Sequence, residues 1–377
     1  MNDPRAANLG IQGDSAQSER SVPVWVLLGK NHGDNRQALA LAEAAGYPFR
    51  AIQLHFRPRL SRLPGVILGR SLLPLSKPVA WPAAWPQIVI ASGRRAVPVA
   101  RWIQGQAGRS GVTTRLVHLG RPRAPLGWFD LIISTPQYGL PTCANVLNNL
   151  LPFQPDETDD EAVALSPALN ATLDALPRPW TVVLVGGNSR PYYFSRGSAQ
   201  ALATGVDYDA RISGGSVLVL GSPRTPNSCL DEIERHISAP LYLYRWQADE
   251  NPYPALLRLA DRLVVTGDSL SMLGDAVVTG KPLQLFSLPK RLDKRAHVAM
   301  FYRRMAERWP IMRKPYHALM DAGLLFSLRS LEKCHQSLRE AGVFSSTSAG
   351  RTLAAGERRE TIRRLRLVLA NAGPSPQ

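Results

Sequence analysis

The stretch LVVTGDSLSMLGDAVVTGKPLQLF, residues 263–286, decides the fold class of this chain. It predicts a strand over 263–265, a polar loop, a helix over 272–278, a Gly-Lys-Pro turn and a strand over 283–286. Strands that alternate with helices in this way form a parallel sheet. The loop presents backbone N–H groups and the Ser269 and Ser271 hydroxyls at a helix N-terminus, which attracts anions. The alternative is that Ser271 caps the helix and Asp275 stabilises its first turn.

The same alternation fills the chain in two blocks, which predicts two Rossmann-like lobes whose parallel sheets face a cleft. The first block has predicted strands at 24–28, 51–54, 87–91, 115–119 and 131–134 and helices at 36–45 and 97–106. The second has strands at 181–185, 217–220, 241–244, 263–265 and 283–286 and helices at 228–236, 254–260 and 272–278. We predict a disordered tail at 1–21, an N-terminal lobe at 22–151, an acidic, proline-rich linker at 152–179, a C-terminal lobe at 180–350 and a basic helix and tail at 351–377.

Composition excludes several classes of protein. A content of 45% hydrophobic and 20% charged residues in 377 is typical of a folded, two-domain chain. Every apolar run is interrupted before the length of a spanning helix, and the first twenty residues lack the core of a signal peptide. Three widely spaced cysteines favour the cytoplasm and suggest neither disulfides nor a metal site. The formal charge of +16 attracts polyanions such as phosphorylated substrates, an anionic membrane or nucleic acid, unless it only reflects an arginine-rich surface.

Two further loops follow predicted strands of the second block, where open parallel sheets bind ligands. Gly186 and Gly187 allow the backbone to approach a ligand closely, although a plain tight turn would use the same residues. Arg224 and Thr225 follow the next strand, and arginine can grip a phosphate with two hydrogen bonds. The alternative for Arg224 is an exposed ion pair.

Residues 263–286 resemble the donor-binding unit of two-lobed (GT-B type) glycosyltransferases, especially the N-acetylglucosaminyltransferase that completes the peptidoglycan lipid precursor. The resemblance implies that Asp275 binds the ribose of a nucleotide sugar, although that family usually has Glu here, and that Ser269 and Ser271 face the diphosphate. Lys281 would help to stabilise the departing diphosphate. The scheme requires no metal and no cofactor beyond the nucleotide-diphosphate sugar that serves as substrate.

Residues 29–42, GKNHGDNRQALALA, are similar to the acceptor loop and following helix of the same transferase. The family's histidine, a candidate general base, falls on Asp34, and His32 lies two residues earlier. Either group could accept a proton from an acceptor hydroxyl. The alternative is that Asp34 or Asn35 caps the first helix.

Five ordered motifs resemble a further family more closely, the mitochondrial-fission family named for its elongated-mitochondria plant mutant, over roughly residues 22–310. They are GDNRQ at 33–37, VIASGRR at 89–95, VGG at 185–187, RTP at 224–226 and TGDSLSM at 266–272. Plant members are implicated in recruiting a dynamin-related protein to mitochondria, and bacterial members are regarded as candidate glycosyltransferases. Membership therefore indicates the fold more firmly than the activity.

The leading functional prediction is transfer of a sugar from a nucleotide-diphosphate donor to an envelope or lipid-linked acceptor. Arg94 and Arg95 are the candidate residues for an anionic acceptor or its phosphate. The predicted partners are a nucleotide sugar and an anionic lipid or lipid-linked acceptor at the inner membrane surface, where the cytoplasmic protein would be peripheral. The alternative is a non-catalytic adaptor that keeps the fold and recruits a membrane-remodelling partner. A nucleic-acid partner is not expected, since the sequence has no recognised module.

Overall fold

The computed structural model describes residues 23–60, 63, 65–155, 165–246, 250–291, 294–321 and 330–371. Each lobe is built on one parallel sheet. The first has the strand order β2-β1-β3-β4-β5-β6 and the second the order β11-β10-β7-β8-β9. The strands of the first sheet are β1 Val24–Leu28, β2 Phe49–Gln53, β3 Ile88–Ser92, β4 Arg115–Leu119, β5 Leu131–Ser134 and β6 Val146–Asn148. Those of the second are β7 Trp180–Gly187, β8 Ser216–Arg224, β9 Leu241–Tyr244, β10 Arg262–Thr266 and β11 Leu283–Phe286.

Helices connect the strands and cover the sheets. In the first lobe they are α1 His32–Ala45, α2 Gly65–Leu68 and α3 Val97–Arg109. Helix α4 Pro167–Asp174 lies between the sheets in sequence, and the second lobe has α5 Arg196–Ser213, α6 Asn227–His236, α7 Tyr253–Leu259 and α8 Leu270–Val278. After the last strand come α9 Lys294–Arg308, α10 Pro310–Asp321, α11 Leu331–Glu340 and α12 Thr347–Ala370. The predicted class, two Rossmann-like α/β lobes of the GT-B type, is confirmed.

Each sheet has a point where its winding changes direction. In the first sheet β1 pairs with both β2 and β3, and in the second β7 pairs with both β8 and β10. The crossover helices therefore leave the sheet on opposite faces at these points, and a crevice opens at the carboxyl ends of the two central strands. The loops after β1, β3, β7 and β10 are thereby placed to form a site.

Strands with continuous apolar runs were the easiest elements to predict. The bounds of β1, β4, β5, β9 and β11 agree with the predicted ones. Helix α1, however, begins at His32 and not at Arg36, because its polar first turn resembles a loop in sequence. Helix α5 and strand β6 were not predicted. The buried stripe of α5 consists of three alanines, Leu202, Val206 and the acid Asp207, whose carboxylate accepts hydrogen bonds from the Ser238 and Ala239 amides at 2.7 and 2.8 Å.

The last helix, α12, belongs to the body of the protein. Its residues Leu365 and Leu369 are buried in the core that β1, β3 and α1 form. The Glu357 carboxylate accepts hydrogen bonds from the Leu150 and Leu151 amides, and Thr361 accepts one from the Asn149 side chain at 2.8 Å. Near its start, Gly350 packs against Val277 of the second lobe. The predicted terminal basic helix thus packs against both lobes.

The domain boundaries remain predictions. The segment predicted as linker contains α4, which begins after Ser166, whose hydroxyl accepts a hydrogen bond from the Leu169 amide. The predicted tail at 1–21 lies outside the described residues. Within the described part of the chain, no helix combines the length and the apolar character that crossing a bilayer requires.

Candidate functional site

The carboxyl ends of the two sheets open onto one cavity of about 920 Å³. The first lobe lines it with the loops after β1, β3, β4 and β5, and the second with those after β7, β8, β9 and β10. Arg224 and Ser271 both line this shared cavity, whereas Gly187, which was predicted to share it, is not among the lining residues. The cavity is the candidate site.

The loop after β1 is fixed by Asn35. Its side chain accepts a hydrogen bond from the Gly29 amide at 2.8 Å and donates one to the Gly29 carbonyl at 3.0 Å. Helix α1 therefore starts at the cavity, with the predicted bases His32 and Asp34 in its first turn. The Asn31 side-chain amide donates a hydrogen bond to the Asp34 carboxylate at 3.0 Å. The alternative that Asp34 or Asn35 caps the helix is wrong, because the N-cap residue is Asn31.

Gly186 and Gly187 serve the protein's own packing. A side chain at Gly186 would meet the Asp268 carboxylate at 2.4 Å, and one at Gly187, whose φ is +108°, would meet the Arg224 carbonyl at 2.2 Å. The Gly186 amide donates to the Thr266 hydroxyl at 2.8 Å. The glycines were predicted to let the backbone approach a donor. The structure shows that they leave room for Asp268 and for the end of β8, and the contact with a donor stays a prediction.

Arg224 and Asp268 form the central ion pair of the second lobe. The guanidinium Nη2 of Arg224 lies 3.3 Å from Asp268 Oδ2, and the Thr266 hydroxyl donates to Asp268 Oδ1 at 2.8 Å. The Asp268 side chain is fully buried, whereas Arg224 is partly exposed and lines the cavity. Burial raises the pKa of Asp268, and the Arg224 charge opposes that rise. A buried carboxylate therefore holds a guanidinium at the cavity surface.

Thr225 organises the loop below Arg224. Its hydroxyl donates to the Val185 carbonyl at 2.9 Å and accepts a hydrogen bond from the Ser222 amide at 2.8 Å. Thr225 therefore contacts the backbone of β7 and β8, and its contact with the donor stays a prediction.

Ser269 and Ser271 lie at the start of α8, on the cavity wall. Ser269 is the N-cap residue, and its hydroxyl accepts a hydrogen bond from the Met272 amide at 3.5 Å. The alternative that Ser271 caps this helix is therefore wrong. Ser271 faces Gly33 of the first lobe, and its carbonyl accepts a hydrogen bond from Gln154 at 3.4 Å.

Asp275 joins the two lobes. One oxygen accepts from the Arg36 guanidinium of α1, and the other accepts from the Tyr253 hydroxyl at 2.8 Å. Gln154 completes the contact, since its side-chain oxygen accepts from Arg36 at 3.2 Å. Burial raises the pKa of Asp275, and the Arg36 charge opposes that rise. Burial and the Asp275 charge raise the pKa of Tyr253 well above its usual value, which keeps its hydroxyl a donor.

Lys281 does not belong to the site. Its ammonium group donates hydrogen bonds to the carbonyls of Arg258 and Ala260. The Gly-Lys-Pro turn leads into β11, so Lys281 lies at the amino edge of the sheet, opposite the edge at which ligands bind. The predicted role of Lys281 at the diphosphate is wrong for this reason.

The cavity is positively charged, mainly on the side of the first lobe. Arg94 and Arg95 line it as predicted, and the loop after β4 adds Arg121 and Arg123. Arg123 has a positive φ of 53°, a strained conformation for a residue with a side chain. Seven Lys and Arg residues line the cavity, namely Lys30, Arg36, Arg94, Arg95, Arg121, Arg123 and Arg224. Three Asp residues do so, namely Asp34, Asp268 and Asp275.

Several site residues were not predicted from sequence. Arg121 and Arg123 follow the correctly predicted strand β4, so the rule that ligands bind beyond strand ends could have found them. Asp268 could have been found in the same way after β10. Tyr253 reaches the cavity, and Gln154 reaches Arg36, only through long-range packing, which leaves no local signal.

The chain is similar in sequence to proteins of one family. A family model described as "Mitochondrial fission ELM1" matches residues 32–325. The Arabidopsis thaliana mitochondrial fission protein ELM1 is 26% identical over 258 residues, 59% of this chain and 60% of its own length, so the match leaves a large part of the plant protein uncovered. The uncharacterized protein RP120 of Rickettsia prowazekii is 23% identical over 301 residues, 71% of this chain and 83% of its own.

The solved structures to which the chain is similar have low sequence identity. The S. aureus MnaA–UDP structure has a TM-score of 0.47 at 9% identity and covers 94% of this chain and 98% of its own. Os79 from O. sativa in complex with UDP has a TM-score of 0.46 at 12% identity and covers 93% and 99%. The family match spans most of the chain. This chain belongs to the mitochondrial fission ELM1 family.

Proposed function

We propose that the protein is a glycosyltransferase that moves a sugar from a nucleotide-diphosphate donor, held by the second lobe, to an anionic or lipid-linked acceptor, held by the first. The observation that carries this proposal is the Arg224–Asp268 pair at the switch point of the second sheet. An arginine held by a buried carboxylate and exposed at a cavity suits a diphosphate, because its planar fork can donate two parallel hydrogen bonds.

The donor would lie across the start of α8. The N–H groups of the first turn, after Ser269, carry partial positive charge and would face the diphosphate together with Arg224. A carboxylate has about four acceptor sites, of which Arg36 and Tyr253 use two on Asp275. The remaining sites would accept hydrogen bonds from the ribose hydroxyls.

The acceptor would lie against the first lobe, where arginines outnumber carboxylates. Arg94 and Arg95 would bind its negative charge. Asp34 would accept the proton of the attacking hydroxyl, with His32 in the same turn as the other candidate base. The new bond forms between the acceptor oxygen and the sugar C1, while the bond from C1 to the diphosphate breaks and Arg224 neutralises the leaving group. Such an acceptor would place the protein in the cytoplasm, at the inner membrane surface.

Calorimetric titration tests the proposal directly. Wild-type protein is titrated with UDP, GDP, ADP, the corresponding nucleosides and the UDP-sugars. We expect at least one diphosphate to bind, and Arg224→Gln to weaken it about tenfold to a hundredfold, the range for a charge-assisted hydrogen bond, with nucleoside binding unchanged. Arg235→Gln is the control, since Arg235 lies on α6 and pairs with Glu232.

Two outcomes would count against the proposal. If no nucleotide binds at millimolar concentration, the transferase proposal fails and the non-catalytic adaptor becomes the better explanation of the fold. If Arg224→Gln weakens the nucleoside and the diphosphate equally, Arg224 supports the loop and does not contact phosphate.

A further inference from the structure

Helices α9 and α10 form a hairpin, residues 294–321, with an apolar stripe that the protein leaves uncovered. Val298, Phe301, Tyr302, Met305 and Trp309 follow one another at the spacing of one helix face, a pattern that normally faces a core. Instead, Trp309 is 57% exposed, and Ile311 just after it is 81% exposed. The hairpin packs inward through other residues, among them Ala306 and Met320, both buried.

This exposure is concentrated in one place. Of the 17 large hydrophobic side chains that are exposed in the described part of the chain, six lie in the hairpin. They are Val298, Phe301, Tyr302, Trp309, Ile311 and Leu319. Isolated exposed apolar residues are normal on a soluble protein, but a cluster that includes three aromatic rings marks an interaction surface.

Positive charge accompanies the apolar residues. The hairpin exposes four basic side chains, namely Arg304 and Arg308 on α9 and Arg313 and Lys314 on α10. Among the hairpin side chains that the structure describes, Glu307 is the one acidic group. Aromatic rings with arginine and lysine beside them are the composition of segments that lie in the headgroup region of a bilayer. The rings enter the interface while the long basic side chains reach the anionic headgroups.

We propose that the 294–321 hairpin docks the protein on an anionic lipid bilayer. The terminal helix α12 is also basic, but its Leu365 and Leu369 are buried against the first lobe, so these two side chains cannot enter a membrane. A nucleic acid would use the charges and rings of the hairpin but not the aliphatic Val298 and Ile311. The inference does not depend on the transferase proposal, because it would hold equally for a non-catalytic protein.

Vesicle sedimentation of the full chain tests the inference. The protein is mixed with vesicles of phosphatidylglycerol and phosphatidylcholine, or of phosphatidylcholine alone, over a salt series. We expect binding to the anionic vesicles that weakens as salt rises. The double variant Trp309→Ser/Ile311→Ser should weaken it on the order of tenfold or more, because two apolar side chains no longer enter the interface. Arg308→Gln/Arg313→Gln should also weaken it and flatten the salt dependence.

The matched control is Tyr208→Ser/Ile212→Ser on α5. These two side chains are 64% and 69% exposed, similar to the hairpin pair, but lie in the second lobe outside the hairpin. This variant should bind vesicles like the wild type, and circular dichroism should show all three double variants folded. The inference is overturned if the wild type does not bind anionic vesicles, if it binds neutral ones equally well, if the hairpin variant binds like the wild type, or if the control loses binding to the same degree.

Discussion

Arg36 of the first lobe and Asp275 of the second form an ion pair between the N-terminal half of α1 and helix α8. Their surroundings differ sharply, because the Arg36 side chain is 42% exposed and that of Asp275 only 8%. The Tyr253 hydroxyl is the second donor to Asp275. Loss of Arg36 would therefore leave a buried carboxylate with one donor, whereas loss of the Asp275 charge would leave an arginine that can turn to water.

We expect Arg36→Ala to lower the free energy of unfolding at pH 7 by about 1–2 kcal/mol, less than for a fully buried pair because Arg36 is partly solvated. Asp275→Asn should change it by less than about 1 kcal/mol, and adding Asp275→Asn to Arg36→Ala should recover most of the loss. Urea unfolding of the four proteins measures the cycle.

The same cycle has an expected pH dependence. Without Arg36 the pKa of Asp275, already raised by burial, rises further. A carboxyl group whose pKa is higher in the folded than in the unfolded state stabilises the fold at low pH. This contribution is lost as the pH rises through the folded-state pKa. The deficit of Arg36→Ala should thus be larger at pH 7 than at pH 5. Equal losses for both single variants at both pH values would contradict this account.

Gly187 is the second test of the site's architecture. Gly187→Ala places a methyl group where the ideal position lies 2.2 Å from the Arg224 carbonyl, at a φ of +108°. We expect a loss of about 2–4 kcal/mol in the free energy of unfolding, from backbone strain and displacement of the β8 loop. Gly205→Ala is the control. Gly205 lies inside α5 with no neighbour near the added methyl group, so it should stabilise the protein by about 0.5–1 kcal/mol. A Gly187→Ala protein as stable as the wild type would refute the packing role.

The sequence predicted the fold because its strands carry continuous apolar runs. Val182–Val185 and Val217–Leu220 are buried on both faces of a parallel sheet, and such strands need no long-range information to be recognised. The docking of α12 could not be predicted, because the contacts of Leu365 and Leu369 with the first lobe join segments more than 200 residues apart. Three alanines and the buried Asp207 weaken the apolar pattern of α5, in which only Leu202 and Val206 are large buried apolar residues.

The candidate site could be predicted only in part. Arg94, Arg224 and Ser271 follow strands, so the topology rule places them at the cavity. Lys281 precedes a strand, and the same rule applied to β11 would have excluded it. The contacts of Asp275 with Arg36 and Tyr253 depend on how the two lobes meet, which no local pattern records.

His118 on β4 predicts how stability depends on pH. It is fully buried, with its Nδ1 3.1 Å from the Gly120 carbonyl, and burial lowers its pKa from 6.5 to about 4. Between pH 6.5 and pH 4 the unfolded chain binds a proton at this histidine that the folded chain does not. The free energy of unfolding is therefore unaffected by His118 above pH 6.5 and decreases as the pH falls toward 4. Between pH 7 and pH 5, His118 should account for a loss of about 2 kcal/mol in urea unfolding experiments.

His118→Gln keeps a donor for Gly120 and does not titrate. Its free energy of unfolding should fall less between pH 7 and pH 5 than that of the wild type. The difference should equal the loss that His118 causes in the wild type. His335 remains in the variant, and burial lowers its pKa to about 4 as well, so part of the pH dependence should persist. An unchanged pH dependence in the variant would mean that His118 is protonated in the folded protein.

The packing of the final helix gives the last prediction. Leu365 is buried against the first lobe, whereas Leu367, two residues along the same helix, is 48% exposed. Leu365→Ala should lower the free energy of unfolding by about 2–4 kcal/mol, because it leaves a cavity between α12 and the first lobe. Leu367→Ala makes the same change in helix propensity without a cavity and should cost less than about 0.5 kcal/mol. Urea unfolding compares the two, and equal effects would mean that α12 does not pack on the first lobe in solution. A large difference would also predict that a protein truncated before Thr347 has an exposed apolar face on its first lobe.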